Sequence, residues 1–354
     1  MKRQRIRSIL AAIVMLIVIF DTKTATEGVR SGISVCLEAV IPSLFPFIIL
    51  SKYLNAGMIG QRFRLISPFA KLCAIPDKLE SILAIGLIGG YPVGAQAIAD
   101  AHTKKHISRA CGSRLLGFCN NAGPAFIFGM AAHLFQQGKL GWIAWLIQVL
   151  SALYVGIILP GTADVLEGEI NQNSSSIITA LETGVRSMAV ICGWVILFRI
   201  LVSYLDQYSV IQNPIIKSVI VGFLELSNGC LSLDNISSYS SRFILLNAML
   251  SFGGICVWMQ TGSAAKNLSQ KWFYSGKILQ CLFSMFVAAF LQPFLFEDET
   301  LQCRNVIMLC CLTFLIIETV LLKRKKVVAL LDGILYNYGK KQEMGFEHVV
   351  PQEN

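Results

Sequence analysis

Ser81–Ala99 reads SILAIGLIGGYPVGAQAIA, and how this stretch is folded decides the architecture of the whole chain. It is apolar and long enough to enter a bilayer, which takes about 20 such residues to cross. It is poorly built to cross as one helix, because Gly86, Gly89, Gly90, Pro92 and Gly94 interrupt it. Proline removes a backbone donor and clashes with the preceding turn, and each glycine weakens a helix by ~1 kcal/mol relative to alanine. A helix–break–helix hairpin that enters and leaves on the same side accommodates both facts. Non-helical backbone is tolerated at depth only where it is buried in protein or lines a cavity. Ile215–Leu233, interrupted by Gly222, Glu225, Asn228 and Gly229, reads as a second hairpin.

The composition around these two stretches requires a membrane. Of 354 residues, 55% are apolar and only 14% charged, and the mean hydropathy is +0.63. Soluble domains carry about 25% charged residues to cover their surface, and disorder needs low hydrophobicity with high charge. Eight spans are expected, at Ile6–Phe20, Ile33–Leu54, Ser113–Leu134, Leu140–Leu159, Ile177–Leu205, Arg242–Gln260, Gly276–Phe296 and Val306–Leu322. The first follows Lys2, Arg3 and Arg5 and reads as a short signal-anchor that delivers Thr22–Arg30 to the outside. The fold class is therefore all-α and polytopic, with about eight transmembrane helices plus two re-entrant helical hairpins.

With both hairpins re-entrant, most Lys and Arg residues gather on one side. That side holds the N-terminus, the loops around Arg62–Lys78 and Lys104–Arg114, the segment Lys266–Lys277 and the tail beginning Lys323-Arg324-Lys325-Lys326. The positive-inside rule makes it the cytoplasmic side, C-terminus included. The net charge of +9 is then an orientation signal, with the tail cluster adding contact with anionic lipid. It is spread over short loops, which argues against a nucleic-acid partner. Loop Gly161–Ser176 is placed inside although it has no Lys or Arg. The eleven cysteines show no C-x-x-C spacing and sit mainly in apolar runs, where cysteine acts as a small hydrophobe.

The order span, hairpin, span, span runs from Ile33 and again from Ile177, the second time upside-down. Short echoes accompany it: Gly28-Val29-Arg30-Ser31 with Gly184-Val185-Arg186-Ser187, and Ser113-Arg114 with Ser241-Arg242. Four units result. Residues 1–32 are signal-anchor and external linker, 33–160 a first repeat, 177–296 a second, inverted repeat, and 306–354 the last span with a basic tail. Inverted repeats with broken helices are a secondary-transporter architecture. Broken helices leave unpaired N–H and C=O groups that bind anions and cations without burying a formal charge.

Candidate site residues follow from the breaks. Gly89, Gly90, Tyr91, Pro92, Gly94 and Gln96 would form the first hairpin tip, either presenting amides to a ligand or permitting close packing. Tyr91 would stack on an aromatic ligand or simply pack. Asn120, Asn121, Gly123 and Pro124 interrupt one span, and Ser251, Gly253 and Gly254 interrupt its counterpart. Adjacent buried amides are costly unless hydrogen-bonded, so Asn120 and Asn121 either hold solute or satisfy carbonyls freed by Pro124. Ser227, Asn228 and Gly229 belong to the second hairpin, where Glu225 is a coupling-ion candidate, as intramembrane carboxylates usually face a polar interior. Glu182 and Arg186, four apart, would pair on one helix face. His102 and His106 read as solvated loop, not metal ligands. No Walker loop, G-x-G-x-x-G or G-x-S-x-G motif occurs, so no enzyme, cofactor or metal is expected.

Gly89-Gly90-Tyr91-Pro92-Val93-Gly94-Ala95 resembles the G-Y-P-x-G-A signature of the YlbJ-like sporulation integral membrane proteins. The flanking Ile41-Pro42-Ser43-Leu44-Phe45-Pro46-Phe47 and Cys119-Asn120-Asn121-Ala122-Gly123-Pro124 are similar to theirs, as is Ser251-Phe252-Gly253-Gly254 followed by Gln260. The resemblance covers roughly Ile33 to Phe296. It implies a nucleoside-recognition, or Gate, domain similar to the core of concentrative nucleoside transporters, and a role in endospore formation. It further implies a bacterial cytoplasmic or forespore membrane and a dipicolinate or nucleoside-like solute. Lipid would be a partner, and a homo-oligomer is compatible with the resemblance. A non-transporting structural or assembly factor of spore membranes is the alternative. Glu225-Leu226-Ser227-Asn228-Gly229 matches the family's second-hairpin pattern only loosely.

Overall fold

A computed structural model describes residues 2–58, 63–161, 166, 176–208, 211–296 and 304–321. Its regular elements are all helices: α1 (Lys2–Phe20), α2 (Thr22–Val35), α3 (Ile41–Met58), α4 (Ser67–Leu72), α5 (Glu80–Ile88), α6 (Val93–Thr103), α7 (Arg109–Leu115) and α8 (Pro124–Phe135). They continue with α9 (Gly138–Ile158), α10 (Ile177–Tyr208), α11 (Pro214–Leu224), α12 (Leu226–Ser232), α13 (Tyr239–Phe252), α14 (Gly254–Ala264) and α15 (Lys271–Leu295), and end with α16 (Arg304–Leu321). Among the described residues, 6 helical stretches are long and apolar enough to cross a membrane: Thr22–Tyr53, Gly138–Ile158, Ile177–Gln207, Tyr239–Ala264, Lys271–Leu295 and Arg304–Leu321. These correspond to six of the expected spans. Apolar side chains such as Leu309, Phe314 and Ile317 lie exposed on α16, as do Met15, Ile19 and Phe20 on α1.

Two of these expectations are corrected. Residues 22–32 are not a linker but helix, continuous with α3 through a π-helical turn at Cys36–Val40. The π-turn lies just ahead of Pro42, whose missing N–H cannot sustain regular pairing. α2 packs along α10 because Gly28 and Gly32 leave no side chain between them. A Cβ at Gly28 would stand 2.8 Å from Ile200 Cα, and one at Gly32 2.9 Å from Ile196 Cα. Small residues four apart allow this approach. Gly184, the echo of Gly28, packs in turn on Ile49 of α3.

Ser113–Leu134 is interrupted where the sequence places the break: α7 ends at Leu115, residues 116–123 are non-helical, and Pro124 starts α8. Proline is well suited to that first helical position. Its counterpart breaks more sharply, between α13 and α14, where Gly253 (φ +81) and Gly254 (φ +76) are both left-handed, a conformation glycine adopts without a Cβ penalty. Second, two cations expected in cytoplasmic loops are buried, Arg114 at 3% exposure and Lys277 at 0%. α15 begins at Lys271 rather than Gly276, which places Lys277 inside the helix.

The expected Glu182–Arg186 pair does not form; both side chains are exposed, and neither belongs to the ion pairs formed among the described residues. His106 is buried, not solvated. Burial and the nearby Lys104 push its imidazole below the ordinary histidine value. The tail cluster Lys323–Lys326 and nearly all of loop 161–176 lie outside the described residues.

Candidate functional site

The first hairpin is α5 and α6 folded against each other about Gly89–Pro92, with Gly90 left-handed at φ +79. It clasps the first break. Cβ atoms at Gly86 and Gly94 would lie 2.3 and 2.1 Å from the same oxygen, Cys119 O, so both positions exclude any side chain. Asn120 and Asn121 stand within this clasp, at 0% and 1% exposure. Asn120 Oδ1 accepts from Ala95 N (3.3 Å), and its Nδ2 donates to Thr261 Oγ1 on α14 (3.0 Å). Asn121 Nδ2 donates to Gly86 O (3.0 Å) and Phe118 O (2.8 Å). These carbonyls come from a helix's last turn and from the non-helical stretch, where intrahelical partners are missing. Asn121 thus satisfies two backbone carbonyls, while Asn120 accepts from the Ala95 N–H and donates to the Thr261 hydroxyl.

Asn121 Oδ1 accepts from Lys277 Nζ (3.1 Å) and Gln280 Nε2 (3.0 Å). Lys277 also donates to Gln280 Oε1 (2.6 Å) and Tyr91 Oη (3.1 Å). Tyr91 Oη donates onward to Leu250 O (3.2 Å), with Ser251 O 3.4 Å away. One chain of hydrogen bonds thus joins α15, the first break, the first hairpin tip and the second break.

The second hairpin, α11 against α12, turns at Glu225, whose carboxylate caps α12. It accepts from Ser227 N (3.0 Å), Asn228 N (2.7 Å) and Asn228 Nδ2 (2.6 Å). A carboxylate at a helix N-terminus is doubly favoured, by hydrogen bonding and by the helix dipole. The two arms meet at glycine, since a Cβ on Gly229 would stand 2.2 Å from Gly222 Cα. Gly254 fits against Gly222 O and Glu225 N in the same way, at 3.0 and 3.3 Å. Ser251 Oγ donates to Gln148 Oε1 of α9 (3.0 Å), and Gln148 Nε2 to Asn247 O (3.2 Å).

Between these parts lies a narrow cleft with a cavity volume of about 40 Å³. Tyr91, Gly123, Glu225, Ser227 and Gln260 line it with apolar walls from Leu44, Phe126 and Ile191, among others. A wider opening of about 290 Å³ shares Ile191 and Gln260 with it and carries Lys52, Pro92, Gln96 and Arg186. Gln96 Nε2 donates to Ser187 Oγ (3.3 Å) while its Oε1 has no partner.

The expected residues thus divide. Tyr91, Gly123, Glu225 and Ser227 reach the cleft, and Pro92 and Gln96 line the neighbouring opening. Gly89, Gly90, Gly94, Asn120, Asn121, Pro124, Asn228, Gly229, Ser251, Gly253 and Gly254 line neither cavity; several of them shape the backbone or brace the breaks. Sequence reasoning missed Lys277, Gln280, Gln148 and Gln260 as a group. Isolated amide side chains in otherwise apolar helices were the available signal.

Over 147 residues the chain is 35% identical to the sporulation integral membrane protein YlbJ of Bacillus subtilis (strain 168). The similarity covers 41% of this chain and 35% of that protein's length. No family model matches the chain, and no solved structure matches it.

Proposed function

We propose that the chain is a secondary-type membrane transporter of a small polar solute, anionic or heteroaromatic, held between two hairpin tips and two broken spans. The observation that carries this reading is the cleft. Its wall takes Tyr91 from one hairpin, Gly123 from one break, and Glu225 and Ser227 from the other hairpin. Polar groups converging from elements so distant in sequence are what a binding site needs and a packed core does not.

Inverted-repeat organisation is part of the proposal, with both hairpins re-entering the bilayer and about eight crossings in all. Equivalent contacts favour it. The second arm of each hairpin packs on the latter half of the other unit's broken span, α6 on α14 and α12 on α8. Glu225 suits a hydroxyl or N–H donor on the solute, whereas Lys52 and Arg186 at the neighbouring opening suit a carboxylate. The B. subtilis relative is a sporulation integral membrane protein, and we extend a role in endospore formation to this chain. The membrane would be cytoplasmic or forespore, with the C-terminus inside. Lipid is the implied partner, and neither nucleic acid nor enzymatic activity is part of the reading.

One observation favours the rival, a non-transporting structural factor: the four hydrogen bonds of Asn121 are all satisfied within the protein. Uptake of labelled dipicolinate and of labelled nucleosides into proteoliposomes separates the two. Accumulation of either supports transport; no accumulation of both, with the protein shown to be folded, refutes it.

A further inference from the structure

We propose that Lys277 is a tethered cation: its ammonium fills a monovalent-cation site made by Tyr91 Oη, Asn121 Oδ1 and Gln280 Oε1, and so holds the first hairpin to the first break without a metal ion. The inference concerns the interior of the fold and stands whether or not the transport reading does.

Lys277 is wholly buried, yet among the described residues no carboxylate lies within ion-pair distance of it. An uncompensated buried charge is costly unless its surroundings are arranged for it. Three oxygens from three separate elements meet the three donors of its ammonium, at 3.1, 3.1 and 2.6 Å. Each oxygen is turned towards the cation by what its own side chain donates. Asn121 Nδ2 is engaged by Gly86 O and Phe118 O, so Oδ1 faces the lysine. Gln280 Nε2 donates to Asn121 Oδ1, so Oε1 faces it too. The Tyr91 hydroxyl proton points to Leu250 O, leaving a lone pair for Nζ.

Ring faces complete the shell, with Nζ 5.0 Å from the Tyr91 centroid and 5.9 Å from that of Phe273, distances at which an aromatic quadrupole attracts a cation. A lysine that merely filled space with its methylene stem would not find every acceptor pre-aimed. A cation bound in this way cannot diffuse off, so docking of the hairpin becomes independent of sodium or potassium.

The test removes the tether and supplies the cation separately. Full-length protein in detergent would be melted, following intrinsic tryptophan fluorescence, in methylammonium, sodium, potassium or tetramethylammonium chloride at equal ionic strength. Lys277→Ala should melt lower than wild type in tetramethylammonium and recover at least half of the loss in methylammonium or a small metal cation. Wild type, and Lys277→Met with its site filled by an uncharged chain, should respond alike to all four salts. Equal response of Lys277→Ala to all four, or a wild type that itself requires sodium or potassium, would overturn the proposal. Should Lys277→Ala fail to fold in every salt, Lys277→Arg and Lys277→Gln decide. A cation site requires arginine to melt above glutamine, and the reverse order refutes it.

Discussion

Replacing Asn121 by leucine keeps the shape of a fully buried side chain and removes all four of its hydrogen bonds at once. Gly86 O and Phe118 O lose a donor, while Lys277 Nζ and Gln280 Nε2 lose an acceptor. A buried polar group left unpaired costs about 1–3 kcal/mol, and more where the group is charged. Four such groups at the low end give a loss of about 4 kcal/mol, before local relaxation returns part of it. At ~2 °C per kcal/mol for a chain of this size, the apparent melting temperature should fall by about 8 °C.

The assay is a thermal scan of detergent-solubilised protein, compared with wild type at one scan rate because large membrane proteins unfold irreversibly. Asn121→Asp is the companion variant. It keeps an acceptor for Lys277 and Gln280 and gives up only the two carbonyl contacts, so it should melt between leucine and wild type. A second check combines Asn121→Leu with Gln280→Leu. Residues in one network are non-additive by about 0.5–3 kcal/mol, so the double variant should lose less than the two singles together. An Asn121→Leu protein melting within ~2 °C of wild type, or strict additivity with Gln280→Leu, would refute the idea that this amide braces the break.

Other outcomes follow from the same geometry. Gly94→Ala places a Cβ 2.1 Å from Cys119 O and should destabilise by about 3 kcal/mol, whereas Gly129→Ala in α8 meets nothing within 4 Å and should stabilise by up to ~1 kcal/mol, both read as melting shifts. Glu225→Gln should flatten the pH profile of solute uptake in proteoliposomes; an unchanged profile removes Glu225 from any coupling role. Arg114 holds Cys73 O, Gly156 O and Leu159 O, so Arg114→Met should cost at least ~3 kcal/mol in thermal scans, and Arg114→Lys somewhat less because an ammonium retains part of that bonding. His106 has a lowered folded-state value, so an unfolded chain takes up its proton first and stability is lost as pH falls below about 6.5. His106→Gln should melt with less acid sensitivity in that range, and an unaltered slope would count against the buried neutral imidazole.

What the chain reveals before folding is what acts locally. Gly253-Gly254 and Gly123-Pro124 break their helices wherever they sit, because left-handed backbone and a missing N–H are properties of those residues themselves. Glu225 was recognisable for the same reason, as a carboxylate in an apolar run, although its service as a cap on α12 depends on the local turn. Lys277 and Arg114 were misplaced because charge counting assigns any cation near the end of an apolar run to the adjoining loop. Only the start of α15 at Lys271, and the docking of α7 against α15 and α6, bring these side chains inside. Polarity hides the helix at residues 22–32. Thr22, Lys23 and Glu27 suggest a linker, but Gly28 and Gly32 carry the packing information, and that becomes legible only with α10 opposite. Spacing alone paired Glu182 with Arg186, yet four-residue spacing permits contact without compelling it; Arg186 lines the opening beside the cleft instead.

The bracing of the two breaks also says which parts of the protein hold together most firmly. Each break takes a glutamine from the last long helix of the other half: Gln280 of α15 reaches Asn121, and Gln148 of α9 is met by Ser251. The first hairpin is fastened to the first break by backbone contact at Gly86 and Gly94, and the second hairpin to the second break by Gly254. Contacts of that kind leave no room for a side chain: a carbonyl oxygen stands 2.3 and 2.1 Å from the Cβ positions of Gly86 and Gly94, and 3.0 Å from that of Gly254. Between the first hairpin–break unit and the second, by contrast, the hydrogen bonds come from side chains, from Tyr91 Oη to Leu250 O and from Asn120 Nδ2 to Thr261 Oγ1, and a Cβ at Gly253 would meet Tyr91 only at ordinary contact distance, 3.4 Å. Hydrogen bonds of this sort contribute about 0.5–1.5 kcal/mol each and re-form after displacement. The cleft lies along that weaker seam, bounded by Tyr91 on one side and by Glu225 and Val257 on the other. Relative motion of the two hairpin–break units, if the protein uses it, would therefore open the cleft and leave each glycine clasp intact.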